Sequence, residues 1–157
     1  MIIKPDTDSA QVRIPPPLVL LVTLIGSVYV QQVYPFPFTD MYWRWGFGSV
    51  VAAIAFILFG TSVHELRAFR TSLPPWKPTM TIVTRGPFSF SRNPIYLAFL
   101  LLVLGTGFLL DSAYSLLLVI PLYCFLEFYV IRKEEKYLTG KFGNTYLGYQ
   151  NAVRRWF

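Results

Sequence analysis

Four apolar runs, residues 15–34, 46–63, 94–110 and 114–131, alternate with polar or proline-rich breaks along the chain. Each run is close to the roughly 20 residues that an α-helix needs to cross the hydrocarbon of a bilayer. The pattern predicts an all-α, multispan transmembrane helical bundle of about four spans, forming a single domain over residues 1–157. The first run starts at Pro15-Pro16-Pro17 and is ended by Pro35 and Pro37, since proline cannot continue a helix ladder. Tyr29 and Tyr34 suit its interfaces. The second is entered through an aromatic belt, Trp43 and Trp45. Its Gly46, Gly48, Ala52, Ala53, Ala55 and Gly60 let another helix approach closely. The third opens at Asn93-Pro94, read as a side-chain cap followed by a proline pre-set for the first helical turn. Asp111 and Ser112 form a short turn, with Asp111 as its cap, and Pro121 interrupts the fourth run early.

The breaks differ in length. Residues 1–14 read as a polar tail, and a short loop holds Asp40 and Arg44. Residues 64–93 form a long segment in which Pro74, Pro75, Pro78 and Pro87 forbid continuous helix. Connectors of that length are usually functional or disordered, and the rings of Trp76, Phe88 and Phe90 argue for order. Residues 132–157 read as a partly helical amphipathic tail. Its Leu138, Phe142, Tyr146 and Tyr149 recur at three- and four-residue spacing, while Lys141, Arg154 and Arg155 are expected to face anionic headgroups.

Charge orients this arrangement. Thirteen of the fourteen Lys and Arg lie in the first, third and last breaks, leaving only Arg44 on the other side. The positive-inside rule then places both termini in the cytoplasm, in the inner or plasma membrane if the source is bacterial. The chain is 54% hydrophobic and 14% charged, which excludes an ordinary soluble domain. The basic pI is accounted for by membrane orientation and calls for no nucleic acid. A lone cysteine, Cys124, rules out an internal disulfide, and one histidine, His64, leaves no metal-binding pair. Asp6, Asp8 and Arg13 stand where a cleavable signal would need a basic stretch joined to an apolar core.

The chemistry concentrates on what should be one membrane side. Arg92 precedes a helix start, where a cation is disfavoured unless an anion answers it; Glu134 or Glu135 is the expected answer. Arg85 and Arg92 flank a Gly-Pro turn carrying Phe88 and Phe90, rings and cations together suiting a charged aromatic ligand. Glu127 lies inside the fourth apolar run, seven residues before Glu134. A carboxylate at that depth is a functional candidate, unless it snorkels or bonds Tyr96 or His64.

Thr84-Arg-Gly-Pro-Phe, then Ser91-Arg-Asn-Pro-Ile-Tyr96, then Arg132-Lys-Glu-Glu-Lys-Tyr-Leu138 with Phe142-Gly143, Tyr146, Tyr149 and Val153 resemble the integral-membrane isoprenylcysteine carboxyl methyltransferases and their phospholipid methyltransferase relatives. The resemblance covers residues 70–157; the first two spans match only in being apolar. It implies methyl transfer from S-adenosyl-L-methionine to a membrane-embedded lipophilic acceptor, prenylated or lipid. The cofactor pocket would lie on the cytoplasmic side, between the 64–93 loop, the third and fourth helices and the last helix. Met80, Thr81, Ile82, Val83 and Phe88 would line it, Asn93, Pro94, Ile95 and Tyr96 would continue it, and Glu134 with Glu135 would close it. Arg92, Glu134 and Glu127 are the catalytic candidates. Two departures bear on the acceptor. Asn93 stands where the family commonly has histidine. Val130 stands where its eukaryotic members have the arginine that holds a substrate carboxylate. An amine-lipid N-methyltransferase and a non-catalytic membrane scaffold are the alternatives.

Overall fold

The computed structural model describes residues 7–39 and 42–157, so Asp6 and Asp40 lie outside the described residues. Among these the secondary structure is helical: α1 (Pro16–Val33), α2 (Arg44–Ala68), α3 (Pro94–Leu109), α4 (Ala113–Cys124), a π-helical stretch (Phe125–Ile131), α5 (Arg132–Phe142) and α6 (Asn144–Ala152). α4, the π stretch and α5 are one continuous rod, Ala113–Phe142. This rod, α1 and α2 are long and apolar enough to cross a membrane; α3, with 16 residues, is shorter. At 1.5 Å per residue it reaches roughly 24 Å. Leu21, Val22, Ile25, Phe56, Ile57, Leu117 and Ile120 all face outward. Such continuous apolar exposure belongs in lipid rather than water.

α3 is the central helix. It packs mainly on α2 and α4, while α1 leans on α4. The α2–α3 contact is close because small residues meet at it. A Cβ on Gly105 would lie 3.0 Å from the Ala52 nitrogen and 3.1 Å from the Gly48 carbonyl oxygen. Backbone cannot yield as a flexible side chain does. Gly105→Ala is therefore expected to push the helices apart and destabilise the fold by about 1–3 kcal/mol, seen as a lower melting temperature in detergent.

Two helix ends use the same left-handed device. Arg70 (φ +51°) and Asp111 (φ +49°) each follow a helix cap. Thr71 N–H then reaches the Leu66 carbonyl and Ser112 N–H the Gly107 carbonyl, both at about 2.9–3.0 Å, the doubled-back bonding of a Schellman end. Asp111 does more than cap. Its carboxylate accepts from the N–H groups of Phe38 and Thr39, both at 3.1 Å, and pairs with Arg44 at 3.3 Å. Ser112 provides the side-chain cap of α4. The aromatic belt gathers around this end, with Trp43, Phe47 and Phe38 packed on Phe108.

Three expectations change. The first segment is no polar tail from residue 9 onward: Val12 is fully buried and Ala10 nearly so, packed in the core with Tyr96, Leu126 and Val130. Pro121 sits inside α4 without ending it. The missing proline N–H is followed by π-helical turns, a recognised way to absorb a break in the α ladder. The partly helical tail, residues 132–157, holds two helices rather than a single last one, because Gly143 (φ +52°, ψ −127°) separates α5 from α6. That conformation suits glycine alone.

Candidate active site

The start of α1, the end of α2, the start of α3, α5 and α6 converge at one end of the bundle and enclose a cavity of about 360 Å³. Thr81, Ile82, Val83, Phe88, Asn93, Pro94, Ile95, Tyr96, Glu134 and Glu135 all line it, as does Arg92. The loop 71–93 supplies much of that lining, and its prolines keep it from continuing α2 as helix. Met80 N–H is held by the Thr71 hydroxyl at 3.0 Å and Thr79 N–H by the Tyr137 hydroxyl at 3.1 Å. Met80 itself is 68% exposed and outside the lining, although Thr79 and Thr81 on either side of it line the cavity.

The Gly86–Ser89 turn also divides its residues. Phe88 is buried in the cavity wall, and its carbonyl accepts the Tyr149 hydroxyl at 2.7 Å. Phe90 is half exposed, and Arg85 lies over the ring of Phe69, 5.9 Å from its centroid. The turn thus contributes one ring to the site rather than two rings and a cation.

Asn93 does not cap α3 with its side chain. Its Nδ2 donates instead to the Arg155 carbonyl at 3.0 Å. The first N–H groups of α3 are left without a side-chain acceptor, so that end retains its affinity for an anion. Beside it, Arg92 Nη1 pairs with Glu135 Oε1 at 3.2 Å. Glu135, not Glu134, answers the cation. Arg92 Nε and Nη1 are buried and make no hydrogen bond.

Glu134 has a different partner, the Tyr96 hydroxyl at 2.5 Å, and no cation within ion-pair distance among the described residues. It lies three residues past Ile131, where the apolar part of the rod ends. Burial raises its carboxyl to about 7; Glu135 adds to the rise, while the Tyr96 bond opposes it. The Tyr146 hydroxyl, also in the wall, is pushed up to about 12, chiefly by burial.

Glu127 is buried, but outside the cavity lining. It accepts from Arg155 Nη1 and, at 3.1 Å, from Trp156 Nε1, and bonds neither Tyr96 nor His64. The wider turns of the π stretch change the helical register, so a seven-residue spacing no longer means a shared face. Arg155 is likewise turned inward rather than to headgroups, and Lys141 pairs with Asp8 at 2.6 Å.

Several lining residues escaped the sequence reading: Ala10, Pro16, Leu20, Phe59, Leu66, Tyr137, Tyr146 and Tyr149. The tyrosines had a visible signal in their spacing. The residues before 70 had none, because apolar side chains in a span look alike whether they meet lipid or a ligand.

Three helices long and apolar enough to cross a membrane, with charged groups gathered around a cavity at one end, mark an integral-membrane protein. A family model of phospholipid methyltransferases matches residues 43–145, and the chain belongs to that family of enzymes that transfer methyl groups. The match starts before α2 and so reaches further toward the N-terminus than the motifs alone. The chain is also 40% identical over 74 residues to the Saccharomyces cerevisiae protein-S-isoprenylcysteine O-methyltransferase, a stretch of 46% of this chain. It spans about 30% of that relative's length.

Proposed function

We propose that the protein transfers a methyl group from S-adenosylmethionine to a membrane-embedded lipophilic acceptor, with residues 1–157 acting as one domain. The observation that carries this reading is the pairing of opposite charges around one cavity. Arg92 offers buried, unbonded nitrogens beside an uncapped helix end, and Glu134 offers a carboxylate with no cation of its own. A ligand bearing a carboxylate and an ammonium group, as the methionine end of this cofactor does, satisfies both. The rings of Trp76, Phe88 and Tyr149 in the wall suit an adenine and a sulfonium.

When bound, the cofactor supplies an electrophilic methyl on its sulfonium. The chain's own residues position and desolvate. Arg92 and the first N–H groups of α3 hold the carboxylate end. Glu134, kept in place by Tyr96, holds the ammonium. Leu20, Phe59 and Phe99 make the far wall apolar, which excludes water and receives hydrocarbon entering from the bilayer. A carboxylate acceptor, of the kind named for the yeast relative, needs no base, because it is ionised at neutral pH.

A second reading, an amine acceptor, has its own support. Among the described residues Arg92 is the one cation in the lining, and it is already paired with Glu135. Val130 is fully buried in the core, and Arg132 stacks over Phe128, 4.6 Å from the ring centre. No second arginine is thus placed to receive an acceptor carboxylate. An amine must first lose a proton, and Glu134 is the carboxylate able to take it. Glu127, tied to Arg155 and Trp156, is removed from that role.

The test is labelled methyl transfer from S-adenosylmethionine into a membrane lipid extract, followed by base treatment. Label lost to base marks a methyl ester, and label retained marks a methylamine. Failure to bind the cofactor or to label any lipid would leave a non-catalytic scaffold.

The orientation belongs to the same proposal: α3 completes four spans, and both termini face the cytoplasm with the pocket. Reporter fusions at the two ends are expected to report the cytoplasmic side. Opposite locations would remove the four-span arrangement.

A further inference from the structure

Residues 153–156, after α6, are bound to the start of α3 and to the π-helical stretch. The Arg154 carbonyl accepts from Arg92 N–H at 3.0 Å, and the Arg155 carbonyl accepts from Asn93 Nδ2 at 3.0 Å and from the Ser91 hydroxyl at 3.4 Å. Trp156 packs on Tyr123, their rings 5.2 Å apart. The Arg155 guanidinium then bridges two carboxylates. Nε and Nη2 take both oxygens of Glu135, at 3.0 and 2.6 Å, and Nη1 takes Glu127.

The bidentate grip bears directly on Arg92. Glu135 is the anion facing Arg92, but its two oxygens already accept from Arg155. Arg92 consequently gets an ion pair at 3.2 Å without hydrogen-bond geometry, and its Nε and Nη1 protons stay unspent beside the cavity. A fork-shaped donor fits two carboxylate oxygens at once, and only one arginine can do so in the plane of the carboxylate. Two arginines therefore compete for Glu135, and the placement of residues 153–156 decides the winner.

We infer that Arg155 is a positioning residue: by holding Glu135 it keeps Arg92 available to the carboxylate of the pocket ligand. Without Arg155, Glu135 captures Arg92 in a bidentate pair and draws it out of the site. This inference rests on the function proposed above. It differs from a purely structural role, because it makes the loss at Arg155 reversible by a second loss at Glu135.

The experiment measures S-adenosylmethionine affinity by calorimetry, and melting temperature, on the full chain in detergent. Arg155→Gln is expected to bind about tenfold more weakly, the effect of one charge-assisted hydrogen bond to a ligand. Arg155→Gln with Glu135→Gln is expected to recover most of that loss, since a neutral amide no longer captures Arg92. Arg155→Lys should fall between, because an ammonium occupies one oxygen and frees the other. A double variant as weak as the single one would overturn the inference, as would unchanged affinity in Arg155→Gln. If Arg155→Gln melts far below the wild type because Glu127 is stranded, the comparison is made with Glu127→Gln in both backgrounds, and the same two outcomes decide. A wild-type protein that does not bind the cofactor would instead remove the proposed function.

Discussion

Glu134→Gln is expected to weaken S-adenosylmethionine binding roughly tenfold to a hundredfold, and to abolish its dependence on pH near neutrality. Loss of a charged contact to an ionic ligand amounts to about 1.5–3 kcal/mol, which is that range of affinity. The pH behaviour follows from the carboxyl raised to about 7 by burial. A ligand ammonium needs the ionised form. Wild-type affinity should therefore rise as pH increases up to about 7 and level off above it, falling by about tenfold per unit below. The empty protein should show the opposite sign. A folded-state value raised above the ordinary 4.5 favours the protonated protein. That stabilisation is complete below about 4.5 and is gone once the pH has passed about 7. Calorimetry and melting curves between pH 5 and 8 test both signs, on the order of magnitude given by the linkage relation. Glutamine retains a carbonyl to accept the Tyr96 hydroxyl, so the fold should persist. Affinity in Glu134→Gln equal to wild type, with the same pH profile, would take this residue out of the site.

Arg92→Lys is the second large effect. As a mere interface cation Arg92 would be replaceable, because lysine carries the same charge to the headgroups. The structure places it instead in the cavity wall, its side chain 11% exposed, beside a helix end and Glu135. Its planar guanidinium pairs with Glu135 through Nη1 and keeps Nε unbonded on another edge for a ligand carboxylate. A point-charge ammonium cannot do both. Membrane insertion and melting temperature should change little, because the main-chain bond from Arg92 N–H to the Arg154 carbonyl survives. Methyl transfer, assayed on the acceptor identified from the lipid extract, should fall by more than about tenfold, corresponding to at least 1.4 kcal/mol. Full activity in Arg92→Lys would return this residue to a charge at the membrane surface.

The spans and the polar cluster were legible in the chain for separate reasons. Hydrocarbon thickness imposes run lengths that any reader of hydropathy can find. Proline and serine favour helix starts, as Pro94 and Ser112 do here. The pocket residues from Thr81 to Tyr96 and at Glu134 were marked by motif order, which survives in sequence because the groups must meet. Within the same motif Met80 faces outward while Thr81, Ile82 and Val83 line the cavity, a difference that motif order does not carry.

What the sequence by itself determined is thus the all-helical, lipid-facing class, the approximate ends of its helices, and the set of polar groups that share one end of the bundle. Partner choice came only from the tertiary structure. Glu135 rather than Glu134 pairs with Arg92, Glu127 pairs with Arg155 across 28 residues, and Asn93 binds a carbonyl rather than capping its own helix. Val12, in a stretch of polar neighbours, ends fully buried against the central helices. The physical reason is the same in each case. Helix formation and membrane burial depend on neighbours in sequence and on average polarity. Ion pairing and cavity shape depend on geometry accumulated over the whole fold. One π stretch or one left-handed glycine is enough to rotate the groups that follow onto a different face.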